Sequence, residues 1–279
     1  MESVLFAILL SLLAGLSTTI GSFISFFMKN PKPKFLSFIM GFSAGVMILI
    51  SFVELLQASI RTYDLFLGLI FFFLGMIIML GIDMLVSHQY EFEDSIEYLI
   101  NKNGEHQPHL HYGHRHRKRY QHRGEKKEIN LAKTSIFIFF GVFIHNFPEG
   151  MATFIGALTQ LNLGILLTIA IALHNIPEGI AVSVPIYLYT LNKKKAFKWS
   201  FLSGISEPLG ALITWVVLFP FINENVLSAM LGIVGGIMVY ISLDELLPVS
   251  RSFAKEHYSI LGIITGMAIM ALSLVMLQY

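Results

Sequence analysis

The 279-residue sequence contains no cysteine, and only 13% of its residues are charged. The absence of cysteine excludes a disulfide scaffold, thiolate metal sites and cysteine nucleophiles. A formal net charge of +1 leaves no basic surface for nucleic acid. The sequence is instead rich in apolar residues, with 55% hydrophobic side chains and a mean hydropathy of +0.69. This composition predicts an integral membrane protein rather than a water-soluble domain.

Eight long apolar runs predict eight transmembrane helices and an all-α fold. Each run has roughly the 20 residues that are needed to cross about 30 Å of hydrocarbon. Because the runs are continuous rather than alternating, they are not β-strands. The spans are predicted at 4–27, 35–56, 65–86, 136–158, 163–188, 198–219, 226–247 and 259–277. One transmembrane domain then comprises spans one to three (1–86), a long connection (87–135), spans four and five (136–188) and spans six to eight (189–279).

The lysines and arginines predict the orientation of these spans, since they favour the cytoplasmic side. Of the 19 lysines and arginines, 18 fall in the first, third, fifth and seventh connections, and Arg61 is the exception. Both termini are therefore expected outside the cytoplasm. The first span follows Met1 and Glu2 without a basic segment, so we interpret it as a retained helix rather than a cleaved signal peptide.

The long third connection, 87–135, is expected in the cytoplasm. Its first part, 91–99, has apolar residues at helical spacing and predicts a short amphipathic helix on the membrane surface. Six histidines follow within 17 residues: His106, His109, His111, His114, His116 and His122. Such a tract favours weak, exchangeable metal capture. The interspersed arginines and lysines leave a second interpretation open, a basic loop facing the lipid headgroups.

Two internal repeats are present. Spans two and seven match at an offset of 191 residues, including Ser51-Phe-Val-Glu54-Leu against Ser242-Leu-Asp-Glu245-Leu. Spans four and five repeat the pattern His-Asn-x-Pro-Glu-Gly at an offset of 29 residues. Each pair is separated by an odd number of crossings, so its members run antiparallel through the membrane. Inverted repeats of this kind occur in secondary transporters, whose substrate site lies near the midplane.

Ionisable side chains are predicted near the middle of spans four, five and six. They are His145, Glu149, His174, Glu178 and Glu207, all within about one helical turn of the span centres. Met47 of span two lies at the same depth. In each repeat the histidine and the glutamate are four residues apart and share one helix face. Pro148 and Pro177 each remove a backbone hydrogen bond, which predicts irregular backbone beside these side chains.

These buried carboxylates need a positive partner. A carboxylate in the bilayer centre costs at least about 2.5 kcal/mol, and the spans supply no lysine or arginine at that depth. The partner is then a bound cation, protons, or both. Imidazole favours zinc, copper, iron and nickel. Two histidine-and-glutamate pairs supply four or more ligands, enough for tetrahedral zinc or a binuclear centre with shared carboxylates.

These motifs resemble the ZIP family of metal-ion transporters, and within it a bacterial zinc-uptake branch. Beside the doubled His-Asn-x-Pro-Glu-Gly motif, the chain carries Ser206-Glu-Pro and Leu243-Asp-Glu-Leu-Leu-Pro248. The resemblance implies import of Zn(II) through the inner membrane without ATP, often with Fe(II), Mn(II), Co(II) or Cd(II), and it implies a homodimer. Metal is then the substrate, no cofactor is needed, and the chain is not an enzyme. The implied ligands are His145, Asn146, Glu149, His174, Asn175, Glu178, Glu207 and Met47.

The inverted pair of spans also predicts a route for the ion. Glu54 is expected about 12 Å outward of the centre, and Asp244 with Glu245 a similar distance inward. We expect Glu54 to receive the ion and the other two to release it, unless all three are helix-end carboxylates in water. Three other functions stay open: export through the same ligands, a membrane metal sensor, and a metal-dependent intramembrane hydrolase.

Overall fold

A computed structural model describes residues 2–27, 32–85, 139, 142–144, 146–221, 223–253 and 256–278. The described residues form helices and contain no strand. The helices are α1 (Glu2–Ser25), α2 (Pro33–Thr62), α3 (Leu65–Leu85), α4 (142–144 and 146–159), α5 (Leu161–Thr190), α6 (Lys193–Leu218), α7 (Glu224–Phe253) and α8 (Glu256–Gln278). Seven of them, all except α4, are long and apolar enough to cross a membrane. The predicted all-helical membrane fold is confirmed. The connection 87–135, with its histidines and its 91–99 segment, lies outside the described residues.

The ends of α2 and α7 correct two predicted spans. Hydropathy ended them at 56 and 247, whereas the helices continue to Thr62 and Phe253. The added turns contain polar side chains, which lower the hydropathy without breaking the helix. Tertiary contacts hold the extension of α2, since the hydroxyls of Thr62 and Ser228 are 2.8 Å apart. Local sequence explains where two of the helices begin. Pro33 stands in the first turn of α2, and the Asn223 side chain caps α7 by accepting a hydrogen bond from the Val226 N–H.

Both α2 and α7 are interrupted by one π-helical turn, at Ser51–Leu55 and at Ser242–Leu246. The two turns occupy equivalent positions of the repeat. In each, the serine hydroxyl donates to the carbonyl four residues earlier, Ser51 to Met47 and Ser242 to Met238, at 2.7 Å in both cases. A π turn leaves the normal hydrogen-bond register of the helix and is often found at functional sites.

The helices pack in two groups. In the first group, α1 packs against α5 and α6, and α4 packs against α6; in the second, α2 packs against α8 and α7, and α3 packs against α7. Glycines allow backbones to touch: a Cβ at Gly179 of α5 would overlap the carbonyl of Thr18 in α1. Several other described glycines would also overlap a backbone carbonyl if they carried a Cβ. In each case the carbonyl belongs to a helix of the same group. Between the groups, α2 packs against α5.

The directions of the helices agree with alternating membrane crossings. The last turn of α2 meets the first turn of α7, where the Tyr63 hydroxyl donates to the carbonyl of Asn225 at 2.8 Å. The two helices therefore run antiparallel, as expected for members of an inverted repeat. Helices α1 and α5 run parallel, since Asn175 contacts Ala14 and Ser183 contacts Ser25.

Candidate metal centre

Three predicted ligands from two helices come together in the interior. One ligand atom each of Glu149 in α4 and of His174 and Glu178 in α5 lies within 4.8 Å of the other two. The Nε2 atom of His174 is 3.0 Å from Oε1 of Glu149. All three side chains are fully buried, with 0% exposure. An imidazole and two carboxylates at this spacing form a group that can hold a divalent transition metal.

The local sequence explains how α5 presents two of these ligands on one side. His174 and Glu178 are four residues apart and so share a helix face. The predicted backbone irregularity at Pro177 is wrong, because α5 is helical without interruption from Leu161 to Thr190. Helix α6 likewise continues through Pro208. Flanking helices keep these residues helical despite the lost hydrogen bond, as is usual in membranes.

Helix α2 contributes a contact that the sequence did not predict. The hydroxyl of Ser43 donates to Oε1 of Glu178 at 3.2 Å and lies 3.4 Å from the backbone carbonyl of His174. Ser43 thus joins the second helix group to the face of the first that carries His174 and Glu178. Met47, the ligand predicted on α2, lies one turn further along the same helix face and is fully buried.

A second set of buried polar groups lies on α4 and α5, beside the first set in the sequence, and on α6. Asn146 in α4, Asn175 in α5 and Glu207 in α6 are each fully buried. The side-chain amide of Asn146 donates to the carbonyl of Ser203 at 3.2 Å. That of Asn175 donates to the carbonyl of Ala14 at 3.1 Å and to Oε1 of Glu207.

These hydrogen bonds fix which way the two amides point. Because the NH₂ groups are engaged, the Oδ1 atoms of Asn146 and Asn175 face elsewhere, and neither has a hydrogen-bond partner among the described residues. The same holds for Oε2 of Glu149. An amide oxygen and a carboxylate oxygen are acceptors that can also coordinate a metal. Three buried oxygens of a ligand type, on Asn146, Glu149 and Asn175, are therefore without a hydrogen-bond partner among the described residues.

The buried carboxylates of the two sets favour the binding of a cation or of protons. Three glutamates of the two sets, Glu149, Glu178 and Glu207, are fully buried. No lysine or arginine is among the buried residues in the part of the chain that the structure describes. Burial of a carboxylate is costly unless a positive charge or a proton accompanies it. The arrangement is suited to a positively charged occupant.

The residues predicted along the ion's route lie at the two π turns. Glu54 is half-buried and lines a cavity at the end of α2. On the opposite side, Asp244 is half-buried and Glu245 is 8% exposed. The hydroxyl of Tyr240, one turn before Asp244, donates to Asp83 in α3 at 3.2 Å. His145 and the six histidines of the long connection lie outside the described residues.

Comparison with known proteins gives a consistent result. A family model described as ZIP Zinc transporter matches residues 3–274. The chain is 46% identical to a protein named Zinc transporter ZupT from Campylobacter jejuni, over 98% of this chain and 97% of that protein. It is 44% identical to a protein of the same name from Clostridium perfringens, over 99% and 97% of the two chains. A Streptococcus mutans protein of that name is 43% identical, over 97% of each chain.

Proposed function

The chain belongs to the ZIP family of zinc transporters, and from that premise we propose that it imports Zn²⁺ into the cytoplasm as a secondary transporter. The observation that carries the proposal is the buried group of Glu149, His174 and Glu178. Its nitrogen and oxygen donors suit zinc, and other divalent metals that accept imidazole and carboxylate, such as Fe²⁺, Mn²⁺, Co²⁺ and Cd²⁺, are included in the proposal. Members of this family are transporters rather than enzymes, so the hydrolase is set aside.

We further propose that the centre holds two ions. The first is bound by Glu149, His174 and Glu178, together with His145 by family resemblance. The second is bound by Asn146, Asn175 and Glu207. Support comes from the amide hydrogen bonds, which turn the Oδ1 atoms of both asparagines away from their backbone partners. The free Oε2 of Glu149 among the described residues supports a carboxylate shared by the two ions. Met47 would add a thioether at the edge of the centre.

We propose that the centre is exposed to the two sides of the membrane in turn, and that the division of the helices into two groups makes this possible. Glycine contacts join the helices tightly within each group, whereas α2 and α5 meet at the boundary through side chains such as Ser43 and Glu178. Movement of one group against the other changes the boundary and leaves the glycine contacts intact. Lysine and arginine are concentrated in the connections on one side of the predicted bilayer. This supports an orientation in which both termini lie on the side of the inner membrane that faces away from the cytoplasm.

Zinc flux in proteoliposomes tests the proposed function. The purified protein is reconstituted with a zinc-sensitive dye inside, and uptake is compared with protein-free vesicles and with Glu149→Ala. We expect saturable zinc uptake that the substitution removes. Zinc binding without flux would favour a metal sensor instead. Flux that runs only outward in vesicles of defined orientation would favour an exporter. The homodimer that the family resemblance implies is a further part of the proposal, and the mass of the purified protein in detergent tests it.

Glu54→Gln is expected to raise the apparent KM for zinc uptake by about 3- to 10-fold. The reason is that the substitution removes a negative charge from the cavity through which the ion is proposed to arrive. The kinetics of uptake into cells, normalised to the amount of protein in the membrane, measure the effect. Unchanged KM and Vmax would show that Glu54 does not receive the ion.

Deletion of residues 106–122 is expected to leave at least about half of the zinc transport rate. The six histidines of this segment are proposed to capture metal weakly after its release, and weak sites of this kind add no step to the passage through the membrane. Uptake by the deletion variant at wild-type expression measures this. Complete loss of transport in a correctly inserted variant would assign the segment an essential role.

A further inference from the structure

A cavity of about 370 Å³ opens at the end of α2 that lies opposite the basic connections. Residues of α2, of α5 and of α7 line it, together with the short link between α4 and α5. Its charged residues are Glu54, Arg61 and Glu224. Its lining also includes the polar side chains of Gln160, in the link between α4 and α5, and of Asn162, in the first turn of α5. The cavity is thus the polar mouth of the proposed route on the outer side.

Below this mouth the passage toward the metal-binding group is closed. Glu54 lies half-buried in the cavity wall, while Ile50, one turn deeper in α2, is fully buried. On α5 the cavity is lined by Leu163 and Leu166, and the buried side of the next turns toward His174 carries the fully buried apolar residues Leu167, Ala170 and Ile171. An ion arriving from this side therefore meets the charges of the cavity before it meets any ligand of the centre.

Arg61 is unusual in carrying the same sign of charge as the proposed cargo. It is exposed and lies seven residues, or two turns, after Glu54 on α2. Two turns bring the residues to the same face of the helix, about 10 Å apart along its axis. Each of the other lysines and arginines falls in a connection predicted on the cytoplasmic side. A lone cation at the outer mouth opposes the attraction of Glu54 and Glu224 for a divalent ion.

We propose that Arg61 is a specificity-determining residue of the outer cavity, setting how strongly it concentrates divalent cations. This proposal rests on the proposed function. The repulsion between a guanidinium and an ion is twice as large for a charge of +2 as for +1, since it scales with charge. At about 10 Å in water this repulsion lowers the local concentration of a divalent ion by about threefold at low salt.

An alternative role for Arg61 is purely structural. It lies in the last turn of α2, where a positive charge is stabilised by the carbonyl end of the helix. In that role its replacement would lower the amount or the stability of the protein, and the concentration of zinc at half-maximal uptake would not change. A salt-dependent change in KM at constant kcat is a result that the structural role does not produce.

The test compares Arg61→Gln with the charge-preserving control Arg61→Lys. Zinc uptake is measured in cells that lack their own zinc uptake, at about 10 mM and about 500 mM salt with balanced osmolality, and is normalised to membrane-inserted protein. At low salt we expect Arg61→Gln to lower KM by about threefold, Arg61→Lys to keep the wild-type KM, and kcat to stay constant in both. At high salt the difference should vanish, because the Debye length falls to a few ångströms.

The two proposals fail in different ways in this experiment. Wild-type uptake with a KM for Arg61→Gln that is equal to or above the wild-type value overturns the role of Arg61 and leaves the transport function standing. A low-salt shift that Arg61→Lys shares with Arg61→Gln, or one that persists at high salt, also overturns it, since the cause is then not the charge. Absence of wild-type uptake above that of cells without the protein overturns both.

Discussion

Replacing Glu178 with alanine is expected to lower the kcat/KM of zinc transport by at least about 100-fold. Removing a residue that only orients a metal ligand costs about 10- to 100-fold in metal affinity. Glu178 is proposed as a ligand itself, and its carboxylate belongs to the buried group with Glu149 and His174. Its loss removes a donor atom and one of the negative charges that make a dication favourable at this depth. Flux into proteoliposomes, with zinc binding to the detergent-solubilised protein, measures the effect.

Ser43→Ala is the matched control for this change. The Ser43 hydroxyl donates to Glu178 and is as deeply buried, but it carries no charge. We expect a loss of about tenfold, at the lower end of the range for an orienting partner. Equal losses in the two variants would mean that Glu178 acts by packing rather than by binding the ion. Full activity of Glu178→Ala would place the metal elsewhere.

Gly150→Ala is expected to lower the thermal denaturation midpoint of the purified protein by on the order of 10 °C and to abolish transport. A Cβ at Gly150 in α4 would overlap the backbone of Glu207 in α6. Backbone cannot rotate away as a side chain can, so the two helices must separate. Because Glu149 precedes Gly150 and both Glu149 and Glu207 are proposed ligands, separation displaces proposed ligands on both helices. A misplacement of about 1 Å can cost about 100-fold in rate.

Gly81→Ala in α3 is the control for the same chemical change. Nothing lies within 4 Å of a Cβ built at Gly81. Alanine is the better helix former by up to about 1 kcal/mol, so this variant should be as stable as the wild type or slightly more stable. Thermal denaturation followed by size-exclusion chromatography compares the two. If Gly150→Ala behaved like Gly81→Ala, the close contact between α4 and α6 would not exist in solution.

Much of the fold, and the grouping of three side chains at the candidate metal centre, could be predicted from the sequence. Hydropathy located the helices, since the cost of placing polar residues in lipid acts on composition over a whole span. The doubled motif predicted Glu149, His174 and Glu178, since a spacing of four residues fixes a common helix face. Both predictions depend on local rules that hold wherever a helix forms.

The remaining features depend on contacts between helices that are distant in the sequence. Ser43 is one serine among many along the chain, and only the packing of α2 on α5 brings it to Glu178. The effect of Pro177 was mispredicted because neighbouring helices keep α5 intact. The closeness of Gly150 to Glu207 could not be predicted, since a glycine does not indicate its partner. The two π turns were also missed, because apolar periodicity does not report a local change of register.

The paired π turns change the register of α2 and of α7 in the same way. A π turn accommodates one more residue than the α-helical turn that it replaces. Ser51–Leu55 and Ser242–Leu246 occupy equivalent positions, with the same serine bond and a glutamate at the same place. Because each turn holds one more residue, the side chains that follow it are rotated by about 100° from where an uninterrupted α-helix would place them. Ser59 and Ser250, which follow the two turns at equivalent positions, are both fully buried.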